Sequence, residues 1–153
     1  MSFVLWGRLG MNSVLVDTNV WIDVVLNRPQ FTARSKGALM ACAEEGVNML
    51  VAATSLKDVF YFAEKSAGPA AAYAALGLLF ELADVVAVDS LVCSRALSLE
   101  RPDYEDGIVS ACAQAERADA IVSRDAGSFS DAGIPRLSPE ELIAALGYRE
   151  AGL

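Results

Sequence analysis

Four aspartates, Asp17, Asp58, Asp106 and Asp125, are the side chains of this sequence best placed to do chemistry. Asp17 and Asp125 come straight off short apolar runs, Asp58 follows another within the first turn of a helix, and Asp106 opens a helix ahead of apolar Ile108 and Val109. Carboxylates ~4 Å apart repel by about 4 kcal/mol per pair at an effective dielectric of ~20, so a cluster of them either takes up protons or holds a cation. All-oxygen ligands without His or Cys select Mg²⁺ or Mn²⁺ over zinc. Such an ion lowers the pKa of a bound water and neutralises charge on a phosphodiester.

Composition narrows the chemistry further. Histidine is absent from the whole chain, which removes Ser-His-Asp and Cys-His nucleophile systems, imidazole acid-base catalysis and His-ligated zinc in one step. Cys42, Cys93 and Cys112 are widely separated, show no CxxC spacing, and read as buried thiols in a reducing, cytoplasmic setting. A net charge of -8 and a pI near 4.4 are the wrong sign for a broad basic nucleic-acid face. If RNA or DNA is the substrate, bound cations or a local rim of Arg and Lys must offset the acids.

The elements that would position the acids follow from the hydrophobic pattern. Apolar runs at 14–16, 48–53, 84–88 and 120–123 read as buried strands, with 133–137 as a short edge strand. Between them the pattern predicts helices at 20–26, 32–45 with Thr32 as N-cap and Gly46 as stop, 54–65, 69–82, 91–99, from 103 onward, and from Ser138 to the stop at Gly147. Strands alternating with helices predict an α/β fold, a central parallel sheet with helices on both faces. All strand carboxyl ends then share one edge, where ligands bind in open sheets, and the four acids can gather there. Each acid alone has a blander explanation: Asp17 as a helix cap, Ser55 with Asp58 as a near capping box, and Asp103, Glu105 and Asp106 as dipole-stabilising acids.

At 153 residues the chain reads as one domain at 11–147, with an extension at 1–10 and a tail at 148–153. The longest apolar run, 69–80, is too short for a bilayer, which takes roughly 20 residues, so no membrane segment is expected. Hydrophobic residues make up 54% of the chain and the mean hydropathy is +0.38, so some apolar surface is expected to meet a partner or a second copy, as in a homodimer.

The ordered series VLVDTNVWIDVVL, TSLKDVFYFAEK, DYEDGIVSACAQAERADAIVSRD with GSF after it, and IPRLSPEELIAAL resembles the PIN-domain family. More narrowly, it resembles the VapC-like toxin-type ribonucleases of toxin-antitoxin pairs. The resemblance implies a Mg²⁺- or Mn²⁺-dependent endoribonuclease with an RNA substrate and an antitoxin partner. It places the first acid at Asp17, supported by Asn19, the second at Asp58, the third at Asp106, and the fourth, in an S-R-D step, at Asp125.

On that reading Asp17 and Asp106 bind the principal ion, Asp125 completes the site, and Asp58 is a ligand or orients the attacking water. Thr18, Asn19, Ser55, Ser123 and Arg124 position waters or phosphate, with Lys57 and Arg124 as contacts for the RNA backbone. Two positions depart from the pattern. Asp58 stands where Glu is frequent, and Ser128 stands where many members carry an acid, with Asp103 and Glu105 as extra acids nearby. Loss of an outer ligand weakens metal affinity before it disturbs the fold. The alternative is a catalytically weak module of the same fold serving as a protein-interaction or assembly subunit. A phosphoacceptor or phosphatase built around Asp17 fits less well: the first lacks a lysine at a late strand end, and the second would need an acid where Asn19 stands.

Overall fold

Strand β1 (Ser13–Val16) is the middle of a five-stranded sheet in the order β3-β2-β1-β4-β5, with β2 at Asn48–Ala52, β3 at Asp84–Val86, β4 at Ala120–Val122 and β5 at Arg136–Leu137. Every neighbouring pair is parallel. The structure, a computed structural model, describes residues 10–129 and 133–148, so positions 1–9 of the expected extension and 149–153 of the expected tail lie outside the described residues. The helices are α1 (Thr18–Val25), α2 (Thr32–Glu45), α3 (Ala53–Ala67), α4 (Pro69–Leu82), α5 (Ser90–Ser98), α6 (Tyr104–Ala115) and α7 (Pro139–Leu146).

The strands are apolar throughout because helices cover both faces of the sheet. Val14, Val16, Met49, Val51, Ala120 and Val122 point into one layer, which they share with α1, α2, α3, α4 and α7. Leu15, Leu50, Ala52, Val86 and Ile121 point the other way, onto α5 and α6. Trp21 is almost wholly buried in the first layer, and its indole Nε1 donates to Val16 O at 3.1 Å, satisfying the last carbonyl of β1. Leu79 of α4 is 0% exposed in the same layer. Leu79→Ala should cost about 3 kcal/mol through lost contact and a residual cavity, read as a lower urea midpoint with an unchanged slope.

Several boundaries differ from the sequence reading, each for a local reason. α1 begins at Thr18 rather than Val20 because Asp17 itself is the N-cap. Thr32 caps nothing: the N-cap of α2 is Phe31, and Thr32 Oγ1 is buried without a partner. α3 starts at Ala53 with no side-chain cap, so the expected capping box of Ser55 and Asp58 does not form. β3 ends at Val86 and the edge strand is only Arg136–Leu137. The stops at Gly46 (φ 69°) and Gly147 (φ 64°) hold, both in the left-handed conformation that glycine adopts without penalty. So does the Ser138–Glu141 capping box. No helix among the described residues is long and apolar enough to cross a membrane.

Candidate active site

The β1–β4 ladder runs one residue past the strands. Asp17 N donates to Val122 O at 2.9 Å, which sets the Asp17 side chain beside Ser123 at the carboxyl edge of the sheet. Asp17 Oδ1 accepts from Thr18 N at 2.8 Å, and Oδ2 accepts from Ser123 Oγ at 2.8 Å and from Asn19 Nδ2 at 3.2 Å. The cap and the site are therefore the same carboxylate. Ser123 Oγ in turn accepts from Asp125 N at 3.0 Å and from Asn19 Nδ2 at 3.2 Å, so one hydroxyl links Asp17, Asn19 and the backbone of Asp125. Thr18 Oγ1 donates to Ser55 Oγ at 2.7 Å and ties the start of α3 to that of α1. Burial pushes the Asp17 carboxyl up to about 6 against the pull of Ser123 and Thr18, and the charges of Asp106 and Asp125 add to the rise.

Asp106 and Asp125 line a cleft of about 480 Å³ together with Arg101, Pro102, Asp103, Gly127 and Ser128. Asp103 caps α6, accepting from Glu105 N at 2.9 Å. The Ser128 hydroxyl donates to Asp125 Oδ2 and stands within bonding reach of Asp106 as well. Burial raises Asp106, aided by Asp103 and Asp125, while the bond from Ser128 holds the exposed Asp125 below the usual carboxylate range. Ser128 thus stands beside two acids and donates to one of them, Asp125, at the position where the resemblance leads one to expect a further acid.

Asp58 belongs to a second group. Its Oδ1 accepts from Lys57 Nζ at 3.0 Å, and its carboxyl is hydrogen-bonded to Glu105. Burial pushes Asp58 up, but Glu105 and Lys57 outweigh it and leave it low, while the bond to Asp58 followed by burial carries Glu105 to about 7. Glu105, read from the sequence only as an extra acid, is the direct partner of Asp58. The signal was present in its place one residue before Asp106 at the head of α6.

Arg124, a candidate backbone contact in the sequence reading, has its guanidinium turned inward. Nε and Nη2 donate to the two oxygens of Asp23 at 2.6 and 3.1 Å, and the group lies over the Phe31 ring, 3.8 Å from its centroid. Lys57 remains exposed at the edge of the site. Sequence reasoning missed Asp23, and the available signal was a carboxylate inside the apolar stretch VWIDVV.

The donors are carboxylates and hydroxyls, the set that suits a hard divalent ion. Mutual repulsion among Asp17, Asp106 and Asp125 is what a cation would relieve. Among the described residues no three acids stand close enough together to hold a metal ion between them as placed. The fit therefore lies in donor type and charge.

A family model described as PIN domain matches residues 13–127, a span that takes in all four acids. The chain belongs to the PIN domain family. This PIN domain is similar in fold to VapBC2 from Rickettsia felis, solved bound to a DNA fragment from their promoter (TM-score 0.66, 13% identity, 82% of this chain and 98% of that one). It is also similar to Mycobacterium tuberculosis VapC20, described as a Sarcin-Ricin loop cleaving toxin (TM-score 0.65, 17% identity, 79% and 95%). A third likeness is to DNA-bound VapBC from Salmonella typhimurium (TM-score 0.65, 18% identity, 84% and 99%). Comparison with curated proteins gives no match.

Proposed function

We propose that this PIN domain is a metal-dependent endoribonuclease and the toxin half of a toxin-antitoxin pair acting in the cytoplasm. The observation that carries the reading is the mutual charge coupling of Asp17, Asp106 and Asp125 at the carboxyl edge of the sheet. Those three would hold Mg²⁺ or Mn²⁺, which when bound supplies Lewis acidity and an activated water. Thr18, Asn19 and Ser123 fix the Asp17 oxygens, and Ser123 also fixes the Asp125 backbone. Asp58, paired with Glu105, would orient the attacking water, and exposed Lys57 would meet a backbone phosphate.

The toxin reading is supported by the VapBC complexes and the VapC20 toxin among the fold neighbours. An acidic chain suits an antitoxin that presents Arg or Lys to the acids. The exposed side chains of Tyr73, Phe80 and Leu97 support burial against that partner or in a homodimer. One observation favours the second reading, an interaction module: Asp58 is engaged by Glu105 and Lys57 and does not appear among the charges that raise Asp17.

The test is cleavage of a mixed single-stranded and structured RNA pool by the purified chain, with Mg²⁺ or Mn²⁺ added or chelated, beside Asp106→Asn. Cleavage should vanish on chelation and fall by at least about a hundredfold in folded Asp106→Asn. A wild-type chain that neither binds Mn²⁺ nor cuts would move the assignment to the interaction module.

A further inference from the structure

Behind the acid edge lies a charged group that the chemistry above leaves unused. Asp23 is 0% exposed in the middle of α1. Besides the two bonds from Arg124, it accepts from Ser35 Oγ at 3.1 Å, and Arg28 Nη1 lies 3.7 Å from its Oδ1. Burying such a pair seldom adds stability over apolar residues of the same size, so its retention calls for another account. Its place in the chain provides one. Arg124 sits between Ser123, whose hydroxyl holds Asp17, and Asp125, whose amide donates to that same hydroxyl.

The backbone of this segment is held from the other side as well. Ser123 N donates to Leu137 O at 3.0 Å, and Arg136 Nε donates to Ser123 O at 2.9 Å. β5 therefore holds Ser123, the first residue of the 123–125 segment, from one flank, and the Arg124 fork on Asp23 holds the next residue from α1, whose N-cap is Asp17.

We propose that Asp23 and Arg124 are positioning residues that clamp residues 123–125 onto α1 and so set the spacing of Asp17 and Asp125. Ion affinity then depends on two side chains that lie behind the acids. The inference rests on the ion-site reading above, and its test separates the two.

The variant is Arg124→Lys, which keeps the charge and loses the planar fork. It is compared with wild type and with Leu79→Ala, which loosens the distant α4 layer. Two quantities are measured on the full chain: hydrogen exchange of the 123–125 amides in chelator-treated protein, and Mn²⁺ affinity by electron paramagnetic resonance titration. Arg124→Lys should speed exchange at 123–125 by about tenfold relative to the rest of β4 and weaken Mn²⁺ binding by about tenfold. Leu79→Ala should raise exchange without singling out that segment and leave Mn²⁺ affinity within about twofold.

Unchanged exchange at 123–125 in Arg124→Lys overturns the clamp, and so does unchanged Mn²⁺ affinity in a wild type that binds the ion. If the wild type binds no Mn²⁺, the ion-site reading fails and the exchange result alone decides the clamp. Should Arg124→Lys fail to fold, Asp23→Asn, which keeps the acceptor and removes the charge, is read by the same criteria.

Discussion

Asp17→Asn should abolish RNA cleavage and at the same time stabilise the metal-free protein at neutral pH. The loss follows from removing the carboxylate that is central to the proposed ion site. The gain follows from linkage. Asp17 is 8% exposed, and its folded-state value of about 6 lies above the ordinary 3.8. Between those values the folded chain binds a proton that the unfolded chain has released, so stability falls as pH rises. The ionised carboxylate is therefore a burden that is absent below pH 3.8, grows toward pH 6 and is constant above it.

That shift corresponds to about 3 kcal/mol at most, and asparagine keeps only part of the cap on Thr18. A net gain on the order of 1–2 kcal/mol is expected above pH 6, shrinking to nothing near pH 4. Urea midpoints of chelator-treated wild type and variant across that range check it. A variant less stable than wild type at every pH would show that Asp17 serves the fold through its cap.

Asp23→Ala should give the largest stability loss of any single change considered, about 3–5 kcal/mol. It leaves the Arg124 guanidinium without its fork, Ser35 without its acceptor and Arg28 without its nearest carboxylate. Replacing the pair itself, as in Asp23→Leu with Arg124→Met, should restore part of that loss by removing the Arg124 charge left behind, while Ser35 and Arg28 still lack their acceptor. Urea unfolding of Asp23→Leu, Arg124→Met and the double variant measures the coupling directly. Additive losses would mean that the pair contributes only packing.

The sheet and all seven helices were legible within a few residues because two-sided burial makes each strand an apolar run, and because Gly46, Gly147 and Ser138 mark helix ends by their own chemistry. The first helix was placed two residues late because its start was set at the first apolar residue, Val20; Asp17 is the cap, as its type suggested, and Thr18 and Asn19 already lie in α1. The site was legible as a list of acids but not as two groups. Asp58 and Glu105 are 47 positions apart, and nothing local to either announces a carboxyl–carboxyl hydrogen bond. Asp23 escaped because its partner, Arg124, is 101 positions away. A charged residue in an apolar helix announces only that some partner exists.

The strand order has a consequence in time. Asp17 and Ser123 touch across neighbouring strands although 106 positions separate them. At ordinary synthesis rates roughly 5–20 s pass between the emergence of the first and the second. For that interval α1 has its cap but lacks Ser123, Asp125 and the grip of β5, so the acid edge stays incomplete on the growing chain. The carboxyl edge that gathers Asp17 and Asp125 is therefore completed only after β4 and the segment behind it have emerged, long after β1.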